Sequence, residues 1–219
     1  MPDMEINAYV FWGASGHARV LAEMVHADGA KLIALFENDI KKISPFSAVP
    51  VYYGRDGFER FVGEMDDLHS IGALSAIGGG RGRDRLAQLE IFDRAGFYTG
   101  ALVHKAAHVA STASVGKSCQ VLVEATICTD AVIGDATIVN TSAIVDHECV
   151  LGGGVHIGPG ATLCGCVVVE ENVFVGAGAV VLPRLTVGAD AVIGAGAVVT
   201  KSVPAGDVVV GNPARSLND

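Results

Sequence analysis

The chain has 219 residues, of which 50% are apolar and 18% are charged, and its formal net charge at pH 7 is −9. This acidic balance argues against a nucleic-acid-binding protein, which needs a basic face. No run of 18 apolar residues occurs, and the N-terminus lacks a charged-then-apolar leader. We therefore expect neither a membrane span nor a signal peptide, and a cytoplasmic protein.

Residues 1–100 alternate short apolar runs, glycine turns and helical stretches, which is the βαβ pattern of a parallel α/β sheet. We therefore predict an α/β domain over residues 1–100. Its predicted elements are a strand at Ala8–Trp12, the glycine turn Gly13–Gly16, a helix over residues 17–26, a strand at Leu32–Phe36, a buried run at Ser70–Ile77 and a helix over residues 83–94.

Ligands of such sheets collect at the carboxyl ends of the strands, which here means Gly13–His17, Glu37–Asn38 and Gly78–Gly80. The turn Gly13–Gly16 is too short for a dinucleotide fingerprint, and His17 stands where a nucleophile elbow needs its last glycine. One interpretation is a purely structural turn. The other is an anion site for a diphosphate, because the turn places backbone N–H groups and a helix N-terminus at one point.

The second half of the chain is a hexapeptide repeat. From residue 103 to residue 199 every sixth residue is Val, Ile or Leu, seventeen times in unbroken register, and the residue four positions after each is small or apolar. This short fixed period is typical of a parallel β-solenoid, in which three six-residue sides close one coil of 18 residues. An ordinary β domain would show period 2. We predict a β-helix over residues 101–219.

All five cysteines lie inside the repeat, namely Cys119, Cys128, Cys149, Cys164 and Cys166. Two of them, Cys119 and Cys149, occupy the small-residue position of the hexapeptide, where cysteine behaves as a small hydrophobe. The odd number and the absence of a CxxC pair argue against disulfides and against a zinc site. We expect a reduced protein without a bound metal.

Four features together carry a family resemblance. They are the glycine turn ending in Ser15–His17, the small α/β domain, the solenoid containing Asp146–Cys149, and the closing segment Val210–Arg215. In this combination the chain resembles the bacterial sugar acetyltransferases of the PglD/NeuD type, which use acetyl-CoA on a left-handed parallel β-helix. The left-handed sense comes from the resemblance, because the general rule for parallel crossovers is right-handed.

The resemblance implies an acceptor, a nucleotide-linked 4-amino-4,6-dideoxy sugar, held largely by the N-terminal domain. The implied acceptor contacts are Ser15, Gly16 and His17 at the diphosphate, Glu37 and Asn38 at the nucleoside, and Gly78 beside the sugar nucleotide. The family has acidic residues at the end of the second strand, whereas this chain has Glu37 followed by Asn38. The base (uracil, thymine or guanine) therefore stays open.

In the solenoid the resemblance implies a catalytic site that uses acetyl-CoA and no metal. The implied residues are His147 as the general base, Glu148 as its support, His156 as a contact to acetyl-CoA, and Gly165, Ala177 and Ala195 as positions whose backbone meets the cofactor.

The residues around His147 point the same way, although a histidine in such a repeat is more often a solvated surface residue. Asp146 and Glu148 flank it in a stretch poor in charge, and a carboxylate can fix the imidazole tautomer and raise its basicity. One coil after His147 comes Gly165, so the two should stack about 4.8 Å apart. A glycine there lets a thioester approach the backbone, where the N–H can stabilise an oxyanion.

The spacing of His147 and His156 predicts a shared site between chains. Nine residues are half a coil, so the two histidines lie on different sides of a triangle whose sides are about 20 Å long. Within one subunit they cannot share a substrate. We therefore expect a closed homotrimer with intersubunit active sites, the usual assembly in the resembling family.

The implied reaction is direct N-acetyl transfer from acetyl-CoA to the sugar amine. A ping-pong route through Cys149 or Cys164 is disfavoured, because neither has an activating cation beyond His147. Three rivals stay open. They are O-acetylation of sialic acid or another free sugar, a zinc carbonic anhydrase, for which the repeat offers His104 and His108 only at its entrance, and a non-catalytic solenoid used for assembly.

Overall fold

The computed structural model describes residues 6–218, which form two compact units. Within these residues, unit 1 holds the chain up to Ile77 together with Ala87–Gly100. Unit 2 holds Gly78–Leu86 together with the chain from Ala101 onward. The sequence placed Gly78–Leu86 in the N-terminal domain, whereas the structure groups this segment with the solenoid. No helix among residues 6–218 is long and apolar enough to cross a membrane.

Unit 1 is built on a four-stranded parallel sheet with strand order β3-β2-β1-β4. The elements are β1 (Ala8–Trp12), α1 (Gly16–Ala27), β2 (Lys31–Glu37), β3 (Val51–Tyr53), α2 (Gly54–Glu64), β4 (Ile71–Ser75) and α3 (Gly82–Ala95), whose first five residues belong to unit 2. The predicted strands and helices are confirmed to within two residues at each end. The short strand β3 and the helix α2 were not predicted.

An aromatic cluster fills the side of the sheet that faces α2 and α3. The ring centroids of Trp12 and Phe36 lie 5.6 Å apart, and Phe58 from α2 lies 5.4 Å from Trp12. Such pairs are each worth about 0.5–1.5 kcal/mol beyond the apolar area they bury. Gly57 lets α2 come close, because a Cβ there would lie 2.9 Å from the backbone of Tyr52.

Unit 2 is a parallel β-helix with three faces, named here by their strand numbers. The eight-stranded face has β5 (Leu102–Val103), β8 (Gln120–Val121), β11 (Ile138–Val139), β14 (His156–Ile157), β17 (Phe174–Val175), β20 (Val192–Ile193), β22 (Val208–Val210) and β23 (Arg215–Ser216). The six-stranded face has β6 (His108–Val109), β9 (Thr126–Ile127), β12 (Ile144–Val145), β15 (Thr162–Leu163), β18 (Val180–Val181) and β21 (Val198–Val199). The five-stranded face has β7 (Ser114–Val115), β10 (Val132–Ile133), β13 (Val150–Leu151), β16 (Val168–Val169) and β19 (Thr186–Val187).

The 18-residue coil predicted from the repeat is confirmed by the strand register. On the five-stranded face Val132 pairs with Val150 and Val150 with Val168, each pair 18 residues apart. Most of the periodic aliphatic side chains point inward and are buried, as at Ile127 and Val145, and they form one continuous core with the small residues. Burial of this column, at about 25 cal/mol per Å² of apolar surface, stabilises the coil.

Each corner of the coil is a two-residue turn whose second residue often has a left-handed backbone. Glu148 has φ 58° and Cys166 has φ 59°. Their N–H groups donate to the preceding coil, Glu148 to the Thr129 carbonyl at 2.9 Å and Cys166 to the His147 carbonyl at 2.9 Å. These bonds hold the corners in register, so that turn side chains 18 residues apart stack above one another.

Candidate active site

His147 and Glu148 form a hydrogen-bonded pair at the corner between the six-stranded and five-stranded faces. His147 Nδ1 lies 3.0 Å from Glu148 Oε2, and the backbone N–H of His147 donates to Asp146 Oδ1 at 2.7 Å. Hydrogen bonds from His147 and Cys166 lower the pKa of the Glu148 carboxyl. An ionised carboxylate only accepts, so Nδ1 carries the ring proton and Nε2 of neutral His147 keeps its lone pair.

Gly165 lies directly against the free edge of this imidazole. A Cβ built on Gly165 would meet Nε2 of His147 and would lie 2.6 Å from its Cε1. Within residues 6–218 the Gly165 N–H has no hydrogen-bond partner, whereas its carbonyl accepts from Arg184 N at 3.1 Å. The glycine thus brings an unpaired backbone donor next to an unprotonated imidazole nitrogen.

Cys166 completes a cluster at the same corner. Its Sγ lies 3.6 Å from Glu148 Oε2, one coil above that carboxylate. In the part of the chain that the structure describes, His147, Glu148 and Cys166 form the one group of three potential metal ligands, with their ligand atoms within 4.8 Å of one another. This group was not predicted, because the odd number of cysteines and the absence of a CxxC pair argued against a metal site, although Glu148 and Cys166 are 18 residues apart.

The other cysteines near this corner are poor nucleophiles. Burial raises the pKa of Cys149 to about 11, and its Sγ donates to the Cys164 carbonyl at 3.2 Å. Burial also raises the pKa of Cys164. The thiolate is the reactive form, so both residues are protonated and unreactive at neutral pH. This supports the expectation that neither carries the acetyl group.

His156 lies on β14 of the eight-stranded face and is 5% exposed. Asn140 Oδ1 accepts from the Thr141 N–H at 2.8 Å, which turns the Asn140 amide group toward His156 Nε2 at 3.0 Å. Nε2 therefore accepts, and Nδ1–H donates to the Gly79 carbonyl at 3.2 Å. Asn140 was not predicted, because it is 16 residues from His156 in the sequence and the repeat aligns only residues 18 apart.

A buried arginine fixes the segment Gly78–Leu86 to the coils of unit 2. Arg85 is fully buried, and its guanidinium donates to the carbonyls of Ala136 at 2.9 Å, Gly154 at 2.6 Å and Gly79 at 3.1 Å. Burial lowers its pKa to about 10. The sequence missed this residue because an arginine on a helix is normally exposed. Arg85 and His156 thus hold the Gly79 carbonyl from two directions, next to the predicted ligand residue Gly78.

In unit 1, Glu37 holds the glycine turn in place. Its carboxylate accepts from the N–H of Ala14 at 3.2 Å, from the N–H of Asn38 at 2.9 Å and from Lys42 Nζ at 3.0 Å. Burial raises the pKa of Glu37, but hydrogen bonds from Lys42 and from the N–H groups of Asp39 and Ala14 outweigh it, and the net pKa is lowered. Glu37 is therefore tied to the protein, while Asn38 is exposed. The nucleoside contact of both residues stays a prediction.

Ser15, Gly16 and His17 lie together at the N-terminus of α1, as predicted for a turn that leads into a helix. Ser15 is the N-cap residue, and its side chain makes no capping hydrogen bond. A Cβ on Gly16 would meet nothing within 4 Å, whereas one on Gly13, which has φ 119°, would lie 2.7 Å from the Ala76 carbonyl oxygen. Gly13 is a structural glycine, and Gly16 is exposed at the open end of the helix.

Among the predicted solenoid residues, the structure brings His147, Glu148 and Gly165 into contact. Ala177 and Ala195 are exposed and stacked one coil apart, at the corner that follows the eight-stranded face. That corner and His156 lie on other sides of the coil than His147. Within one chain the predicted base therefore lies beside the predicted acetyl-CoA contact Gly165 but apart from the other three, His156, Ala177 and Ala195.

Comparison with known proteins places the chain in a family. Residues 166–201 match the family described as bacterial transferase hexapeptide (six repeats). A perosamine N-acetyltransferase from Caulobacter crescentus, solved with CoA and GDP-perosamine, is similar with 32% identity and a TM-score of 0.88, over 98% of this chain and 99% of that one. A search of curated proteins finds no match.

Two further structures match along almost their whole length. The acetyltransferase domain of PglB from Neisseria gonorrhoeae, solved with acetyl coenzyme A, has 32% identity and a TM-score of 0.84, over 96% of this chain and 99% of that one. WeeI from Acinetobacter baumannii has 25% identity and a TM-score of 0.81, over 96% and 99%. These matches confirm the left-handed sense of the β-helix. The chain belongs to the hexapeptide-repeat family of nucleotide-sugar acetyltransferases.

Proposed function

We propose that the protein transfers the acetyl group of acetyl-CoA to the 4-amino group of a nucleotide-linked 4-amino-4,6-dideoxy sugar. The observation that carries the proposal is the His147–Glu148 pair, with Nε2 of the imidazole beside Gly165, whose N–H has no hydrogen-bond partner within residues 6–218. Full-length similarity to sugar N-acetyltransferases supports the same reaction. The cytoplasmic location stays a prediction from the sequence.

The proposed transfer is direct and uses His147 as the base. Nε2 of His147 accepts a proton from the sugar amine while the amine nitrogen forms a bond to the thioester carbonyl carbon. The Gly165 N–H donates to the carbonyl oxygen as that oxygen becomes negative, which stabilises the tetrahedral intermediate. The carbon–sulfur bond then breaks, and the imidazolium, held by the Glu148 carboxylate, returns its proton to the leaving thiolate.

The proposal is tested by a CoA-release assay with UDP-, dTDP- and GDP-linked 4-amino sugars and with free sialic acid. We expect release that depends on a nucleotide sugar, and an amide in the product by NMR. An ester product, or release with sialic acid alone, would favour O-acetylation instead. Full activity after removal of metals by a chelator would exclude a zinc carbonic anhydrase. A melting temperature that rises when substrates are added would exclude a purely structural solenoid, because only a protein that binds them is stabilised.

We further propose that the active protein is a trimer whose sites lie between chains. His147 and His156 lie on different sides of the coil, so both can serve one acetyl-CoA only if it lies between neighbouring subunits. A stripe of aligned valines on the five-stranded face supports an interface beside the His147 corner, because Val132, Val150 and Val168 are 39–45% exposed. Exposed apolar stripes of this kind often mark association surfaces.

Replacing Val150 by glutamate is therefore expected to break the trimer. A charge at the centre of the stripe costs desolvation on association, and light scattering should show a monomer that has lost nearly all transferase activity. The nearly isosteric Val150→Thr is the control and should stay trimeric and active. An active monomer would contradict the shared site.

The nucleotide end of the acceptor is assigned to the carboxyl edge of the sheet in unit 1. Beside Asn38 lies a cleft of about 400 Å³, lined also by Trp12, Phe58 and Arg55. Trp12 is 6% exposed, and its Nε1 is the one buried side-chain nitrogen or oxygen among residues 6–218 without a hydrogen-bond partner. Apolar clefts with a few polar groups are typical of small-molecule sites, and we assign this one to the base of the nucleotide.

The glycine turn offers a selective test of this assignment. Gly16→Val is expected to raise the KM for the nucleotide sugar at least tenfold, because a side chain there fills the space needed by the diphosphate at the start of α1. The KM for acetyl-CoA should stay within twofold. Gly63→Val in α2 is the matched control, since an added Cβ also meets nothing within 4 Å there. If calorimetry showed weaker acetyl-CoA binding in Gly16→Val, the assignment of the nucleotide sugar to unit 1 would be wrong.

A further inference from the structure

We propose that His147, Glu148 and Cys166 form a zinc-binding site whose occupation switches off the enzyme. The metal here is an inhibitor and not a cofactor of the transfer. The site itself follows from the geometry of the three side chains, and only its effect on activity rests on the proposed function of His147 as the base.

The distances in the cluster suit a tetrahedral metal. Zinc binds nitrogen and oxygen ligands at about 2.0–2.2 Å and sulfur at about 2.3 Å, which places the ligand atoms of one ion about 3.3–3.7 Å apart. Here Nδ1 of His147 and Oε2 of Glu148 are 3.0 Å apart, and Oε2 and Sγ of Cys166 are 3.6 Å apart. The three ligand atoms all lie within 4.8 Å of one another, so side-chain movements of about 1 Å would seat an ion between them.

The ligand types and their exposure select zinc over the hard cations. Imidazole and thiolate favour zinc and similar transition metals, whereas magnesium and calcium prefer oxygen ligands only. On binding, the Cys166 thiol releases its proton to solvent, so thiolate and carboxylate together neutralise the two positive charges. The side chains of His147 and Glu148 are 51% and 62% exposed, which leaves an entry path and a fourth position for water.

Occupation of the site removes the proposed base. When Nδ1 of a neutral imidazole gives its lone pair to a metal, the ring proton resides on Nε2. Nε2 of His147 then has no lone pair with which to accept the proton of the attacking amine. The same ion also takes the Glu148 carboxylate away from its hydrogen bond with His147. Zinc should therefore inhibit reversibly, and chelation should restore the activity.

Cobalt titration of the reduced, metal-free protein tests the site without any activity assay. One equivalent of Co²⁺ is expected to give a near-ultraviolet thiolate-to-cobalt charge-transfer band, which Zn²⁺ removes by displacement. Cys166→Ser should lose the band. Cys164→Ser is the matched control, two residues away and outside the cluster, and should keep it. The site is refuted by a wild-type protein without the band, or by a band that survives in Cys166→Ser.

A second experiment measures the inhibition of transferase activity by zinc. The rate of each variant with zinc is compared with the rate of the same variant without metal. The zinc concentration for half-inhibition is expected to be at least tenfold higher in Cys166→Ser than in the wild type and in Cys164→Ser. Equal sensitivity of all three would overturn the inhibitory role. If His147 were not the base, the cobalt band would still form and vanish with Cys166, so failure of the site and failure of the proposed function are distinguishable.

Discussion

Replacing His147 by alanine is expected to lower kcat by about 10²–10⁴-fold, the range for the loss of a general base, with little change in the KM for acetyl-CoA. The structure supplies the physical reason. Glu148 holds the proton on Nδ1, so Nε2 is the nitrogen that is free to accept, and among residues 6–218 the three atoms nearest to a Cβ on Gly165 all belong to this imidazole. Steady-state kinetics with saturating acetyl-CoA measure the effect.

Two companion variants make the result interpretable. Glu148→Gln should cost less than His147→Ala, because Glu148 orients and polarises the ring without taking a proton from the substrate. His108→Ala is the matched control, since His108 is an exposed solenoid histidine on β6. It should leave kcat unchanged. Near-normal turnover in His147→Ala would show that His147 is not the general base. Loss of activity in His108→Ala would instead favour the hypothesis of a zinc carbonic anhydrase.

The sequence predicts the solenoid well because its physical rule is local and repeated. Every coil must bury one aliphatic residue per side, so the period of six appears directly in the chain and fixes which turn residues stack. The contact of His147 with Gly165 follows from that period alone. In unit 1 the helix α2 escaped prediction, because Gly54, Gly57 and Gly63 interrupt its pattern and glycine is unfavourable in a helix interior.

What the sequence could not predict depends on contacts outside the repeat. Arg85, Asn140 and His156 meet through the segment Gly78–Leu86, whose placement against the coils no periodicity encodes. Cys166 is a different case, because its position one coil after Glu148 follows from the 18-residue period, and only the direction of its thiol toward that carboxylate was not predicted. Ordinary composition rules assign an arginine to solvent and a cysteine to the core, and both rules fail at this part of the molecule.

Substitution of Gly165 is the second large expected effect, and the structure changes its explanation. The sequence suggested that a side chain there would occupy the space of the thioester carbonyl. In the structure the nearest atoms to an added Cβ are Nε2 and Cε1 of His147. The imidazole is the exposed end of a flexible side chain, so it would swing away at little cost to folding and lose its bond to Glu148.

Gly165→Val is therefore expected to keep its melting temperature within a few degrees and to lose nearly all transfer. Thr129, two coils before Gly165, and Pro183, one coil after it, occupy the same position, which shows that the corner accepts a Cβ. Ala189→Val, at the first turn position of a different corner, between the five-stranded and eight-stranded faces, is the control and should be active. An unfolded Gly165→Val would make Gly165 a structural residue.

A double-mutant cycle separates the two ways in which Gly165 can act. If a side chain there acts by displacing His147, Gly165→Ala should lower kcat in the wild type but have no further effect in the His147→Ala background. If it acts instead by blocking the oxyanion donor, the loss should persist in that background, on the scale of about 2.7–4 kcal/mol for one such donor. An added Cβ would lie 2.6 Å from Cε1 of His147, so we expect most of the loss to vanish once His147 is removed. Equal losses in both backgrounds would contradict the positioning role and leave Gly165 as an oxyanion donor alone.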